Sequence, residues 1–233
     1  MCGRFVRRKD VDAIVRDFAV QKVDCDLAPS YNVAPTQQVA VIMQDGVKQL
    51  VSIRWGLVPS WAPSLSVGNT MINARAETVA QKGSFREAFE KRRCLVVADG
   101  FYEWRKEGKT RQPILIRLKS DRAFGFAGLY ENWLSPDGQN IKTCTIITTE
   151  PNKIMRTIHN RMPVIIPVAE EEAWLGPTAD LASLLSLLTP YPAEEMQTYE
   201  VSALVNSPAN DSPECLKPAT PLIPAQPFLP FFE

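Results

Sequence analysis

Cysteine is the second residue of the chain, in Met1-Cys-Gly-Arg-Phe5. Cytoplasmic removal of an initiator methionine needs a small second residue, and cysteine qualifies. Processing would leave Cys2 with a free α-amine beside its thiol. Unperturbed groups of these kinds titrate at ~7.7–8.0 and ~8.5, so both supply nucleophile near neutral pH. Such a 1,2-aminothiol condenses with an aldehyde: the amine forms an imine, and the thiol closes a five-membered thiazolidine. No internal cysteine can do this. The plainer alternative is an unprocessed, idle cysteine.

Three further positions carry acid–base or positioning chemistry. His159, the one histidine of the chain, sits in Ile158-His-Asn-Arg161-Met-Pro between an expected helix and strand. Any imidazole chemistry must use it; otherwise it is a surface histidine near a helix end. Glu103 sits in Asp99-Gly-Phe-Tyr-Glu-Trp104. Strand alternation sets Phe101, Glu103 and Arg105 on one face and Tyr102 and Trp104 on the other. A carboxyl desolvated among aromatics gains a raised pKa and useful acid–base range; an edge strand would leave it in water. Asn73, Arg75 and Glu77 share a face in an extended Met71–Thr78, either a site wall or an ordinary exposed face.

Arg4, Arg75 and Arg161 flank these candidates with guanidinium groups suited to phosphate. Trp55 and Trp61, in Arg54-Trp-Gly-Leu-Val-Pro-Ser-Trp-Ala-Pro63, offer ring faces for stacking on bases, or serve as core anchors. Cys2, Cys25, Cys94, Cys144 and Cys215 include no CxxC, and a lone histidine excludes a multi-histidine metal site. The other four cysteines are expected bystanders in a reducing compartment. No phosphate loop, GxSxG or HExxH occurs, and no cofactor is called for.

The elements that must position these residues follow from periodicity. Val11, Ile14, Val15 and Phe18 predict a helix over 10–19. Strands 38–43 and 47–55 flank the Asp45-Gly46 turn. Ser84-Phe-Arg-Glu87 has the form of a capping box for a helix to about Arg92. Strand-like runs follow at 94–98, 100–105, 113–118, 123–130 and 141–148. Thr149 is a candidate cap for a helix through Ile158; Val164–Ile166 suggests a strand, and 169–175 and 179–188 suggest helices. Strands dominate and helices decorate them, which predicts an α+β class with one core.

The chain has 233 residues, 45% hydrophobic and 22% charged, which suits a globular domain rather than a disordered chain. No apolar run is long enough for a membrane span, and the N-terminus has no signal-peptide pattern. Net charge is zero, but unevenly built. Residues 1–166 carry a net +9, and 167–215 carry nine acids with no Lys or Arg. A basic body balanced by an acidic segment points to polyanion binding, unless the acids are simply a solvated helical face. Pro218, Pro221, Pro224, Pro227 and Pro230 recur every third residue, a polyproline II pattern. We read it as an extended strap bearing Phe228, Phe231 and Phe232, with an aromatic-groove ligand as the alternative.

Taken together, six segments in order resemble one family. They are Met1-Cys-Gly-Arg-Phe5, Tyr31-Asn-Val-Ala-Pro35, Trp55-Gly-Leu, Ile72-Asn-Ala-Arg-Ala-Glu-Thr78, Ala98-Asp-Gly-Phe-Tyr-Glu-Trp104 and His159-Asn-Arg-Met-Pro163, with Asn210–Cys215 as a closing motif. The chain is similar to SRAP (SOS-response-associated peptidase) proteins, which process abasic sites. The resemblance implies one α+β domain over 1–217 with a mostly antiparallel, β-barrel-like core, followed by a proline-rich extension over 218–233. It implies a covalent thiazolidine between Cys2 and a ring-opened abasic site, with Glu103 and His159 as the acid–base pair and Asn73 positioning sugar or cysteine. Arg4, Arg75 and Arg161 would hold phosphates, and Trp61 with its neighbours would wedge or stack at the lesion. The implied partner is single-stranded DNA with an abasic site, met by a cytoplasmic, nucleoid-associated monomer without metal, cofactor or membrane. Strand cleavage and peptidase-like loss of Met1 are also implied. Two alternatives stand beside this. One is an N-terminal-cysteine amidohydrolase, since Met-Cys-Gly also opens glutamine amidotransferases. The other is a non-covalent single-strand binding module with an idle Cys2.

Overall fold

The longest strands arise where apolar residues alternate, and the two parities of those strands serve two different cores. The computed structural model describes residues 2–177 and 180–219. Its strands are β1 (Phe5–Arg7), β2 (Lys22–Asp24), β3 (Ser30–Val33), β4 (Gln38–Asp45), β5 (Val47–Trp55), β6 (Asn73–Arg75), β7 (Arg93–Ala98), β8 (Gly100–Glu107), β9 (Thr110–Leu118), β10 (Phe124–Leu134), β11 (Asn140–Thr149), β12 (Met162–Pro163), β13 (Ile165–Ile166) and β14 (Met196–Glu200). The helices are α1 (Val11–Phe18), α2 (Arg86–Lys91), α3 (Glu171–Leu175) and α4 (Leu181–Ser186).

Strands β5, β4, β7, β10 and β11 pair antiparallel in that order. β11 then returns beside β5 in parallel, Thr143 to Arg54 and Cys144 to Trp55, and closes a five-stranded barrel. A second sheet runs β14-β9-β8-β1-β3, antiparallel throughout. The class is α+β, as expected. In the barrel strands Ile42, Leu50, Leu95, Val97, Leu129 and Ile147 join Ile14, Phe18, Phe89, Trp174 and Leu184 of the helices in one buried cluster. The opposite parity, including Val41, Ile53, Val96, Phe126 and Ile146, meets Phe5, Val33, Phe101 and Ile116 of the second sheet. The barrel strands thus contribute apolar residues to two cores, one shared with the helices and one with the second sheet.

Local signals account for most of this. Asp10 caps α1, its side chain accepting the Ala13 N–H at 2.8 Å. Gly46, at φ 72°, turns the β4–β5 hairpin in the left-handed region that glycine adopts freely. Three expectations are corrected. Ser84 is not a helix cap: α2 starts after Phe85 without a side-chain cap, because Lys82 O already accepts the Phe85 and Arg86 amides. Thr149 does not open a helix either. It is the last residue of β11, opposite Met162, and Asn152 Oδ1 takes the Met155 N–H, leaving one 3₁₀ turn at Met155–Thr157. The strand expected at Val164–Ile166 is shortened to β13 at Ile165–Ile166, paired with β10, while β12 just before it pairs with β11. The periodicity predicts none of β1, β2, β3, β12 or β14.

At the C-terminal end, Pro218 bridges Val201, and Ala219 N–H donates to Glu200 O at 2.9 Å. Pro221, Pro224, Pro227, Pro230, Phe228, Phe231 and Phe232 lie outside the described residues.

Candidate active site

The N-terminal segment is laid on β8 by backbone pairing. Phe5 faces Phe101, Val6 faces Gly100, and the Tyr102 N–H reaches back to Arg4 O at 2.9 Å. The register continued by one residue sets Gly3 across from Glu103. Alternation along β8 then divides its side chains. Phe101 enters the core between barrel and sheet, and Tyr102 enters a separate cluster with Val6, Val201 and Val205. Glu103 is turned, as expected, with the Phe101 parity.

Cys2 is fully buried. Its thiol lies well above the usual thiol range, first because burial penalises the thiolate, then because the nearby Glu103 carboxylate repels it. The Arg4 backbone N–H works the other way by donating to the sulfur. Glu103 is itself 4% exposed, and burial raises its carboxyl above the ordinary range while His159 opposes the shift with positive charge. Cys2, Glu103 and His159 are therefore within electrostatic reach of one another. Asn73 completes the group. β6 lies parallel to β11, with Asn73 opposite Ile146, and its Nδ2 donates to Cys2 O at 2.9 Å. Asn73 Oδ1 is buried without a hydrogen-bond partner among the described residues.

His159 follows the Met155–Thr157 turn, its own N–H donating to Met155 O at 2.8 Å. The Arg161 amide donates to His159 Nδ1 at 3.1 Å, so the neutral ring carries its proton on Nε2. Four residues from distant parts of the chain thus come together. The arrangement offers a nucleophile, a desolvated carboxyl, an imidazole and an amide that anchors the nucleophile's backbone.

The expected DNA contacts divide differently. Trp55 is corrected: its ring is 0% exposed, lies 5.2 Å from Phe5 and donates Nε1–H to Ile72 O at 2.9 Å, so it cannot stack on a base. Trp61 is 67% exposed. Its loop is fixed from below, since Trp133 donates Nε1–H to Ala62 O at 2.8 Å and packs with Val58, Leu65 and Val67. The preceding turn needs glycine twice. Gly56, at φ 127°, and Gly68 touch through their backbones, and a Cβ on either would lie under 2.5 Å from the other's carbonyl oxygen. Arg75 is exposed. Arg4 is half-buried and donates to Asn32 Oδ1 and Val205 O, both at 2.8 Å, and its guanidinium lies 5.8 Å from the Trp104 ring. Arg161 is forked onto Glu77, at 2.5 and 3.0 Å, and donates to Thr148 O at 2.6 Å. These inward partners went unassigned in the sequence, although Asn32 and Glu77 both stand inside motifs.

Asn32 and the closing motif form a clasp. Asn32 Nδ2 donates to Val205, Ser207 and Asn210 carbonyls, and Asp211 accepts from Ser30 Oγ and the Tyr31 amide. Tyr102 donates its hydroxyl to Tyr31 O at 2.8 Å. The cysteines are all free. Among the described residues no group of three His, Cys, Asp or Glu is placed to hold a metal, and no helix is long and apolar enough to cross a membrane.

Residues 1–208 match the family described as SOS response associated peptidase (SRAP). The abasic site processing protein YoqW of Bacillus subtilis is 48% identical over 222 residues, 93% of this chain and 99% of that protein. The abasic site processing protein HMCES of Xenopus tropicalis is 32% identical, over 81% of this chain and 65% of its own length. The crystal structure of a Bacteroides thetaiotaomicron protein superposes with a TM-score of 0.87 at 31% identity, covering 94% of this chain and 100% of that one.

Proposed function

The chain belongs to the SOS response associated peptidase family, and from that membership we propose that it processes abasic sites in single-stranded DNA through a covalent bond to Cys2. The observation that carries this reading is the meeting of buried Cys2 and Glu103 with half-buried Asn73 and His159. Loss of Met1 frees the Cys2 amine. The closed sugar is a hemiacetal, and His159 opens it to the aldehyde as general acid and base. The amine adds to the carbonyl carbon, and water leaves with a proton relayed by Glu103. The S–H then adds across the C=N bond: sulfur bonds carbon, the proton goes to nitrogen, and the thiazolidine closes.

The electrostatics support that order. Burial and Glu103 keep the Cys2 thiol protonated, so the amine is the first nucleophile. An imine left open loses a β-proton and breaks the strand, so ring closure decides between shielding and lyase chemistry. Asn73 holds the Cys2 carbonyl and leaves its own oxygen for the incoming sugar. Arg75 pairs a phosphate and Trp61 stacks at the gap left by the missing base, contacts that need no sequence readout. Arg4 and Arg161, tied to Asn32 and Glu77, reach phosphate only secondarily. The protein acts as a monomer in the compartment that holds its DNA.

The test is a denaturing gel and intact mass of protein mixed with single-stranded DNA carrying one abasic site. A heat-stable adduct of Met1-free protein, lost with Cys2→Ala and with undamaged DNA, is expected. No adduct from protein shown to lack Met1 would overturn the reading.

A further inference from the structure

Glu77 is the one carboxylate forked onto Arg161, and Arg161 is the residue whose backbone cradles the histidine. The Arg161 side chain is 15% exposed, held by both Glu77 oxygens on one side and Thr148 O on the other. Glu77 lies just beyond β6, and Thr148 pairs with Arg75 of that strand. The fork therefore ties the loop after His159 to the sheet that also carries Asn73. Two backbone groups of Arg161 meet His159 Nδ1. The amide donates at 3.1 Å, and the carbonyl oxygen lies at 3.3 Å. The amide suits the neutral ring, whose Nδ1 holds a lone pair; the carbonyl suits the doubly protonated ring, whose Nδ1 carries a hydrogen. Both protonation states find a partner on the same residue, and Nε2 remains the nitrogen that works.

We infer that Glu77 is a positioning residue which, through Arg161, fixes the tautomer and aim of His159. It touches neither nucleophile nor substrate. Its role is to keep Arg161 still, so that the imidazole moves a proton at Nε2 without turning over. A geometric role of this kind is distinct from a phosphate contact: the anion on Arg161 is supplied by the protein itself.

The single histidine makes this directly measurable. In uniformly ¹⁵N-labelled full-length protein without a histidine tag, long-range ¹H–¹⁵N spectra contain one imidazole. Wild type is expected to show the Nε2-protonated form when neutral. Glu77→Ala is expected to shift the tautomer ratio toward an even mixture, with Glu77→Gln, which keeps one acceptor oxygen, in between. The rate arm rests on the proposed crosslinking. Glu77→Ala should slow adduct formation with a closed abasic sugar about tenfold, a fraction of a full acid–base contribution. A strand bearing an acyclic aldehyde, which needs no ring opening, should be captured at the wild-type rate. A wild-type imidazole spectrum in folded Glu77→Ala or Glu77→Gln overturns the inference. If wild type forms no adduct, the crosslinking reading fails, while the nitrogen spectra still decide the role of Glu77.

Discussion

Two asparagines, Asn32 and Asn73, sit at the two ends of the N-terminal segment's hold on the fold, and they are satisfied to different degrees. Asn32 accepts from Arg4 and donates to three carbonyls of the closing motif. Asn73 makes one bond, to Cys2 O, and its buried oxygen has no partner among the described residues. The difference separates architecture from chemistry. A saturated buried network rigidifies a fold. An orphaned acceptor costs about 1–3 kcal/mol and is retained where a ligand can satisfy it. Along β8 Tyr102 is bonded into the clasp, while Glu103 is buried beside Cys2 and its carboxyl is pushed up by burial.

Substitutions can break that comparison. The largest effect should come from the reactive corner. Glu103→Gln keeps shape and removes the titrating group, and crosslinking rate under single-turnover conditions should fall about 10²–10⁴-fold. Next come the asparagines themselves. Asn32→Ala removes one of the two Arg4 partners and one bond from each of three carbonyls, and urea unfolding should show a loss of about 2–4 kcal/mol. Asn73→Ala should cost under about 1 kcal/mol by the same measurement while lowering crosslinking, since it removes one bond and one orphan. Equal stability losses at the two positions would erase the distinction drawn here.

Smaller effects sharpen it at the exposed tryptophan. Trp61→Ala should leave stability within about 0.5 kcal/mol and weaken single-strand binding by about 1–3 kcal/mol, read by fluorescence anisotropy. Trp55→Ala should instead destabilise the fold, because that ring is core. The smallest signal is electrostatic. Burial raises the Glu103 carboxyl in the folded protein, so the folded state binds the proton more tightly than the unfolded chain. Stability from this group is present below the ordinary glutamate range, ~4.3, and is lost as pH rises through the raised value. Glu103→Gln should therefore melt higher than wild type at neutral pH, with the gain vanishing near pH 4 in a pH-resolved melting series.

Much of this molecule was legible along the chain. Strand alternation placed Glu103 opposite in parity to Tyr102, the Asp45-Gly46 turn announced a hairpin, and Val11, Ile14, Val15 and Phe18 marked α1, because each depends on residues within a few positions. Thr149 and Ser84 misled for a non-local reason: strand pairing with Met162 and the carbonyl of Lys82 outcompeted their caps. Short strands such as β1 and β14 carry too few residues for periodicity and exist because a partner edge satisfies their amides.

The sequence by itself determined which chemistry was available: an aminothiol at the second residue, one imidazole, one carboxyl among aromatics, and a motif order shared with a family. Those are properties of residue type and covalent position, and folding cannot add to them. Only the tertiary structure decided which polar groups would be spent on each other. Arg4 went to Asn32, Arg161 to Glu77 and Trp55 to the core, while Trp61 and Arg75 stayed outside. A guanidinium or indole can donate to any acceptor its geometry permits, so its role follows from which partner the packed strands bring within about 3 Å, and no spacing along the chain encodes that distance.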